Sequence, residues 1–355
     1  MSKRSFLSAL SLGSGTLFSL PAMAETAGSD RRSWQPDGLG YRARIGLLTP
    51  NDDAVPESEF WTMAPEGVSV HVGRVRLVDT RTFSDPPHPD DATELLAALP
   101  MQAIVFAFTT TGYILGPDGE RALKSRLEKK ACHRVRSRLV SRRTATINQI
   151  RAFLIEQGIA VRAGPRALRN SLFAILENRK DEISPRTAGL ILGLYEDWCR
   201  LDERIETVTG EIEKLSQVEA TCRRLMRVPG IGPLISTGIV AAIGTGEAFE
   251  RGRDFAAWLG LVPRQHSTGG RTILGRISKR GSKYLRTLLI QAAKVLLMRP
   301  HNWARYSFGA WLKTASERLH RNKLAVALAN KLARIAWSVL RNDKAFDTHP
   351  EAAAI

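Results

Sequence analysis

The stretch VPGIGPLISTGIVAAIG, residues 228–244, and its sequel LGLVPRQHSTGGRTILGRISKRGSKYLR, residues 259–286, decide how this chain is read. The first segment has the pattern of a helix, a glycine hairpin and a second helix. Pro229, Gly230, Ile231 and Gly232 make the turn. Two glycines let a backbone approach a phosphate closely, and the amides at the start of the following helix face an anion. Ile231 is the expected apolar peg of the hairpin, and Leu234, Ile235, Ile239 and Val240 the expected buried face of the second helix. The second segment reads as a polar, flexible turn, Arg264 to Gly270, with Arg271, Arg276, Lys279, Arg280, Lys283 and Arg286 crowded behind it. A serine on such a loop among cations suits phosphoryl transfer, because cations stabilise the charge that develops on phosphorus. The same residues suit a phosphate-binding loop with no covalent step.

Charge supports a polyanionic partner for this region. Residues 131–355 hold 38 Lys and Arg against 19 Asp and Glu, whereas residues 1–130 hold 14 against 16. The whole excess behind the net charge of +17 therefore lies in the downstream part. A basic unit joined to a near-neutral one points to different partners for the two, and nucleic acid is the natural partner of the basic one. At 355 residues the chain has room for two or three cores. Cys132, Cys199 and Cys222 have the spacing of neither a zinc site nor a disulfide framework, which makes them reduced and structural.

The leader, residues 1–39, is signal-like or disordered. Lys3 and Arg4 precede an apolar run, and an Ala-x-Ala-like site ends at Ala24, so Met1 to Ala24 has the form of an export signal. That conflicts with a nucleic-acid-binding cargo, for which a cytoplasmic location is expected. An extended start explains the leader equally well. No later segment is apolar for long enough to span a membrane.

Residues 40–130 show alternating strands and helices. ARIGLLTP and QAIVFAF read as buried strands, VSVHVGRVRLV as another strand and DDATELLAAL as a helix, giving a parallel sheet with helices on its faces. A basic helix follows from about Gly119. This part resembles the first half of the aspartate/glutamate racemase and maleate isomerase superfamily. The resemblance implies two such halves, each supplying a catalytic cysteine. Here the matching position falls in Thr109, Thr110 and Thr111, and no second half follows. A threonine hydroxyl does not replace a thiolate without a strong base beside it. Racemase or isomerase activity is therefore not expected, and Asn51 and Thr110 retain at most half of a carboxylate pocket.

From residue 131 the chain is mainly helical, with a basic and coiled-coil-like part to residue 227, a helix-hairpin-helix domain over 228–345 and a tail over 346–355. Arg134, Arg138 and Arg142 recur at i, i+4 and i+8, a stripe able to meet phosphates or to be solvated. Ile147, Ile150 and Leu154 form an apolar face beyond it. Trp198, Leu201, Ile205, Val208, Ile212 and Leu215 step by three and four, the period of a coiled coil or helical hairpin. Such a stripe serves self-association or packing within the chain.

HRVRSRLVSRRTATINQIRAFLIEQGI, LMRVPGIGPLISTGIVAAIG, the PRQHSTGG…GRISKRG block and NKLAVALANKLARIAWSVL together resemble the C-terminal two-thirds of insertion-sequence 110 type transposases. That family includes the Piv invertase and the bridge-RNA-guided recombinases. The fold expected is thus chimeric: an α/β half-domain followed by this helical region. The resemblance implies DNA transposition, DNA and a structured guide RNA as partners, and a nucleophilic serine at Ser267, with Thr268 the neighbouring candidate; a homo-oligomer is expected through the helical region. It also implies an upstream domain with four metal-binding carboxylates. In this chain the half-racemase stands in that place, so no ligand set carries over and the divalent metal of the family finds no residues here. The expected result is a transposase fragment that binds nucleic acid but is catalytically impaired, with a junction near residues 130–133. The alternatives are a non-catalytic nucleic-acid-binding protein and, less well supported, a racemase relative.

Overall fold

A computed structural model describes residues 16–19, 40–77, 79, 83–85, 87–268 and 271–346. They fall into two units: residues up to Thr109 with Arg134–Glu211, and Thr110–His133 with Ile212 onward.

The first unit contains a four-stranded sheet in the order β1-β4-β2-β3. Strands β2 (Ala43–Pro50), β3 (Val68–Val75) and β4 (Ala103–Phe106) are parallel, as expected. The helices α1 (Val55–Met63) and α2 (His88–Leu96) fall between them in sequence. The β1 strand (Thr16–Ser19), inside the leader, pairs antiparallel with β4 and makes the sheet mixed. That pairing covers the edge of β4, whose amides and carbonyls would otherwise stand open. The rest of Met1 to Ala24 lies outside the described residues. Ile45, Leu47, Val68, Val70 and Val105 form the core of the sheet.

Helix α3 (Thr109–Glu156) breaks at Gly116, where φ is 65°, and resumes at Pro117. Proline suits the first turn of a helix, where its missing N–H is not needed. The basic helix therefore starts two residues before the glycine chosen from sequence. Within the first unit the C-terminal part of α3 packs with α4 (Pro165–Asn178) and α5 (Pro185–Val218). Ile147, Ile150, Leu154, Leu168, Leu172, Ile191 and Trp198 make that core. Arg136 Nε donates to Thr209 Oγ1 at 2.9 Å, and Arg143 Nη1 to Asp202 Oδ1 at 3.0 Å. Residue number rises along α3 as it falls along α5, so the two run antiparallel. Trp198, Ile205 and Val208 of the three-four stripe are buried by packing within the chain.

The second unit is a helical domain around one large core. It comprises α6 (Ala220–Leu225), α7 (Pro233–Ile243), α8 (Gly252–Trp258), α9 (Lys283–Leu297), α10 (Gly309–Arg318) and α11 (Arg321–Arg341). A two-stranded ribbon, β5 (Pro263–Thr268) and β6 (Arg271–Ile277), leaves it between α8 and α9. The loop expected there is thus a pair of strands. Apolar and polar residues do not alternate along it because both faces are exposed, which removes the period-two signal. Thr268, Thr272, Ile273 and Ile277, β-branched residues, were the trace available in the sequence. The residues Leu123, Leu127 and Ala131 of α3 are buried, at 4%, 1% and 0% exposure. Among the described residues no helix is long and apolar enough to cross a membrane.

Candidate nucleic-acid interface

The turn between α6 and α7 is built as the sequence demands. Ile231 N–H donates to Val228 O at 3.0 Å. Pro229 and Gly230 occupy the two central positions, and Gly230 has a φ of 84°, as a type II turn requires. A Cβ on Gly230 would lie 2.9 Å from Leu296 Cδ1, so this glycine also lets α9 pack against the turn. Gly232 differs: the position of its absent Cβ is open space, and it caps α7 through its backbone alone. Ile231 is buried at 3% exposure, as the apolar peg should be, and so are Ile235, Ile239 and Val240. Leu234 remains half-buried.

The turn helix α7 is tied to α3 and α9 by a polar cluster that the sequence did not reveal. His133 Nε2 lies 3.0 Å from Thr237 Oγ1, and His133 Nδ1 lies 3.0 Å from Tyr284 Oη. Thr237 Oγ1 donates its own proton to Pro233 O at 2.6 Å, which leaves its oxygen to accept from His133 Nε2–H. Tyr284 then donates to Nδ1. No periodicity announces such a cluster, because its members lie 104 and 151 residues apart.

The basic residues predicted for this surface separate into two groups. Arg264, Arg271, Arg276, Lys279, Arg280 and Lys283 are exposed, and among the described residues none has a carboxylate partner. From Phe255 to Ser316 the chain has no Asp or Glu at all and carries 11 Lys and Arg. Arg286 stands apart at 8% exposure. Its Nη1 donates to Leu259 O at 2.8 Å and to Arg280 O at 2.9 Å, so it holds the loop after β6 against the end of α8. At Gly281 in that loop φ is 70°, and a Cβ would collide with the Trp258 carbonyl. Arg134, Arg138 and Arg142 are exposed on one face of α3 without ion-pair partners among the described residues, while Arg136 and Arg143 are engaged with α5.

Ser267 and Thr268 both lie on β5, Gly269 and Gly270 fall outside the described residues, and both hydroxyl-bearing residues are exposed. Ser267 Oγ accepts from Gln265 Nε2 at 2.7 Å. Ser267 pairs with Thr272 and Thr268 with Arg271, so the two side chains point to opposite faces of the ribbon. Among the described residues no three His, Cys, Asp or Glu are gathered so as to hold a metal ion.

In the α/β part, Asn51 Oδ1 accepts from Leu77 N–H at 2.8 Å, tying the end of β2 to the chain after β3. Thr110 is exposed at the start of α3.

Comparison with known proteins gives the same picture of the second unit. Residues 222–307 match the sequence model of the "Transposase IS116/IS110/IS902 family". A "Probable family 20 transposase" of Pseudomonas aeruginosa is 41% identical over 218 residues, 61% of this chain and 64% of that protein. The "Transposase for insertion sequence element IS1111A" of Coxiella burnetii is 37% identical over 217 residues, 61% of this chain and 59% of that protein. A "Pilin gene-inverting protein" of Moraxella bovis is 29% identical over 126 residues, 35% of this chain and 38% of that protein. The chain spans about three-fifths of the length of the first two relatives. The resemblance to insertion-element transposases thus holds for about three-fifths of the chain, and the family match itself covers residues 222–307.

Proposed function

We propose that the region from about residue 131 to 345 is the DNA-handling part of an insertion-element transposase or site-specific recombinase, and that this chain binds DNA without completing recombination. The observation that carries the binding is the unpaired cationic surface of the second unit, which has no Asp or Glu from Phe255 to Ser316. The turn at Gly230 to Gly232 and the stripe of Arg134, Arg138 and Arg142 add further phosphate contacts. The want of Asp and Glu from Phe255 to Ser316 favours binding over strand transfer, since this stretch offers no carboxylate to hold a metal ion beside either hydroxyl. A structured guide RNA of the element is the second partner this reading includes, a homo-oligomer its working form, and the cytoplasm its location. No step is assigned to the racemase-like part.

The test is binding of the full chain to duplex DNA across a salt series. Affinity that falls linearly on a logarithmic salt axis supports the proposal, because each phosphate contact releases counterions. No binding at low salt overturns it. A covalent protein–DNA adduct lost on Ser267→Ala or Thr268→Ala would show instead that the chain still performs strand chemistry.

A further inference from the structure

The β5–β6 ribbon stands as a sheet of its own, with every described residue from Pro263 to Arg276 exposed. A lone two-stranded ribbon is marginal in water and ordinarily gains from a partner. Its two faces differ in charge. Cross-strand partners share a face and successive residues alternate. His266 pairs with Ile273 and Thr268 with Arg271, so these four share one face, and alternation along β5 places Arg264 with them. The opposite face holds Gln265 paired with Leu274 and Ser267 paired with Thr272, all uncharged. The register shifts between Pro263 and Gln265, and a Cβ on Gly275 would meet the Arg264 carbonyl oxygen at 3.6 Å and Arg264 Cβ at 3.9 Å, so Gly275 lies across from Arg264 in ordinary contact.

We propose that this ribbon enters the major groove of B-form DNA, with the Arg264, His266, Thr268, Arg271 and Ile273 face toward the base edges and the Ser267 face away. The inference rests on the DNA-binding reading above and adds the element, the groove and the face. Two strands about 4.8 Å apart with their side chains fit a groove about 12 Å wide. Guanidinium groups present the paired donors that the guanine edge accepts, and an exposed isoleucine, 49% accessible here, meets the thymine methyl. The major groove of A-form RNA is too deep and narrow for a ribbon. A protein partner is disfavoured by five exposed cations on the ribbon and the loop that follows it, with no acidic residue among them. One consequence bears on the hydroxyl pair: Thr268, not Ser267, is presented to the DNA.

The full chain is titrated into a DNA duplex and an RNA duplex of the same sequence, with methyl green as a major-groove competitor and netropsin as a minor-groove one. DNA binds at least about tenfold tighter than RNA, methyl green displaces the protein and netropsin does not. Arg264→Ala with Arg271→Ala weakens DNA binding at least about tenfold and leaves the salt slope nearly unchanged, because both side chains meet base edges and not phosphates. Arg264→Lys with Arg271→Lys keeps the slope, and Gln265→Ala with Leu274→Ser leaves affinity unchanged. Thermal melts confirm that each variant folds. Full affinity in the double alanine variant, displacement by netropsin alone, or equal binding to RNA overturns the inference while DNA binding stands. Absence of any DNA binding at low salt overturns both readings together.

Discussion

The Nη1 of Arg286 donates to the carbonyl oxygen of Leu259 at 2.8 Å, and this bond holds the base of the ribbon. The same nitrogen reaches Arg280 O at 2.9 Å, so one buried cation joins α9 to both ends of the segment carrying β5 and β6. Arg286→Ala leaves two carbonyls short of a charged donor. The expected cost is about 3 kcal/mol, since hydrogen bonds to charged groups contribute about 1.5–3 kcal/mol. Thermal unfolding of the full chain measures it. DNA binding falls in proportion to the unfolded fraction, with no change of salt slope, because Arg286 meets no phosphate itself.

The two hairpin glycines separate on substitution. Gly230→Ala places a Cβ at a φ of 84° and 2.9 Å from Leu296 Cδ1, so it costs about 2–3 kcal/mol and lowers the melting temperature. Gly232→Ala meets open space at a φ of −100° and leaves the melting temperature nearly unchanged. A weakened DNA affinity in Gly232→Ala at unchanged stability marks the closest approach of the DNA backbone.

Lys129 on α3 forms a salt bridge with Glu219, and its side chain is 4% exposed. Lys129 precedes the region that resembles transposases, yet it closes a buried pair within the second unit. Glu219→Ala leaves that ammonium without its carboxylate. The expected loss is about 3 kcal/mol, at the lower end for buried pairs because Glu219 is 31% exposed. Lys129→Met in the same chain restores part of it, read as a recovery of the melting temperature. A fragment beginning at residue 131 lacks this pair, and it melts below one beginning at Pro117.

Burial, and then the neighbouring Glu219 carboxylate, push the Cys222 thiol from an ordinary value near 9 up to about 12. The folded chain therefore keeps this proton where the unfolded chain has lost it. Stability falls as pH rises above about 9, and the loss continues toward about 12. Denaturant midpoints measured on either side of this rise decline more steeply in the parent chain than in Cys222→Ala. At neutral pH the native chain is alkylated first at Cys199, because Cys132 and Cys222 are buried.

Much of the local structure was legible. ARIGLLTP alternates with nothing, consists of apolar residues between turn signals, and is strand β2 over that same span. The peg Ile231 and Trp198, Ile205, Val208 and Ile212 of the stripe are buried where a fixed period puts them. The ribbon was not legible, because a strand with two wet faces has no hydrophobic period to read. Arg286 was not separable from Arg280 or Lys283, since a charged residue in a basic run carries no sign of the carbonyls that will surround it.

The sequence by itself determined that a near-neutral α/β segment is followed by a basic helical one, that a glycine turn joins two helices, and which residues supply the cations. Those are matters of composition, period and turn chemistry, each set by residues close together in the chain. Only the tertiary structure decided which cations face solvent, which glycine is filled by Leu296 and which stands open, and that Ser267 and Thr268 look in opposite directions. These depend on partners far apart in sequence, on α3, α9 and the turn. Burial and facing are properties of the packed neighbours and not of the residue.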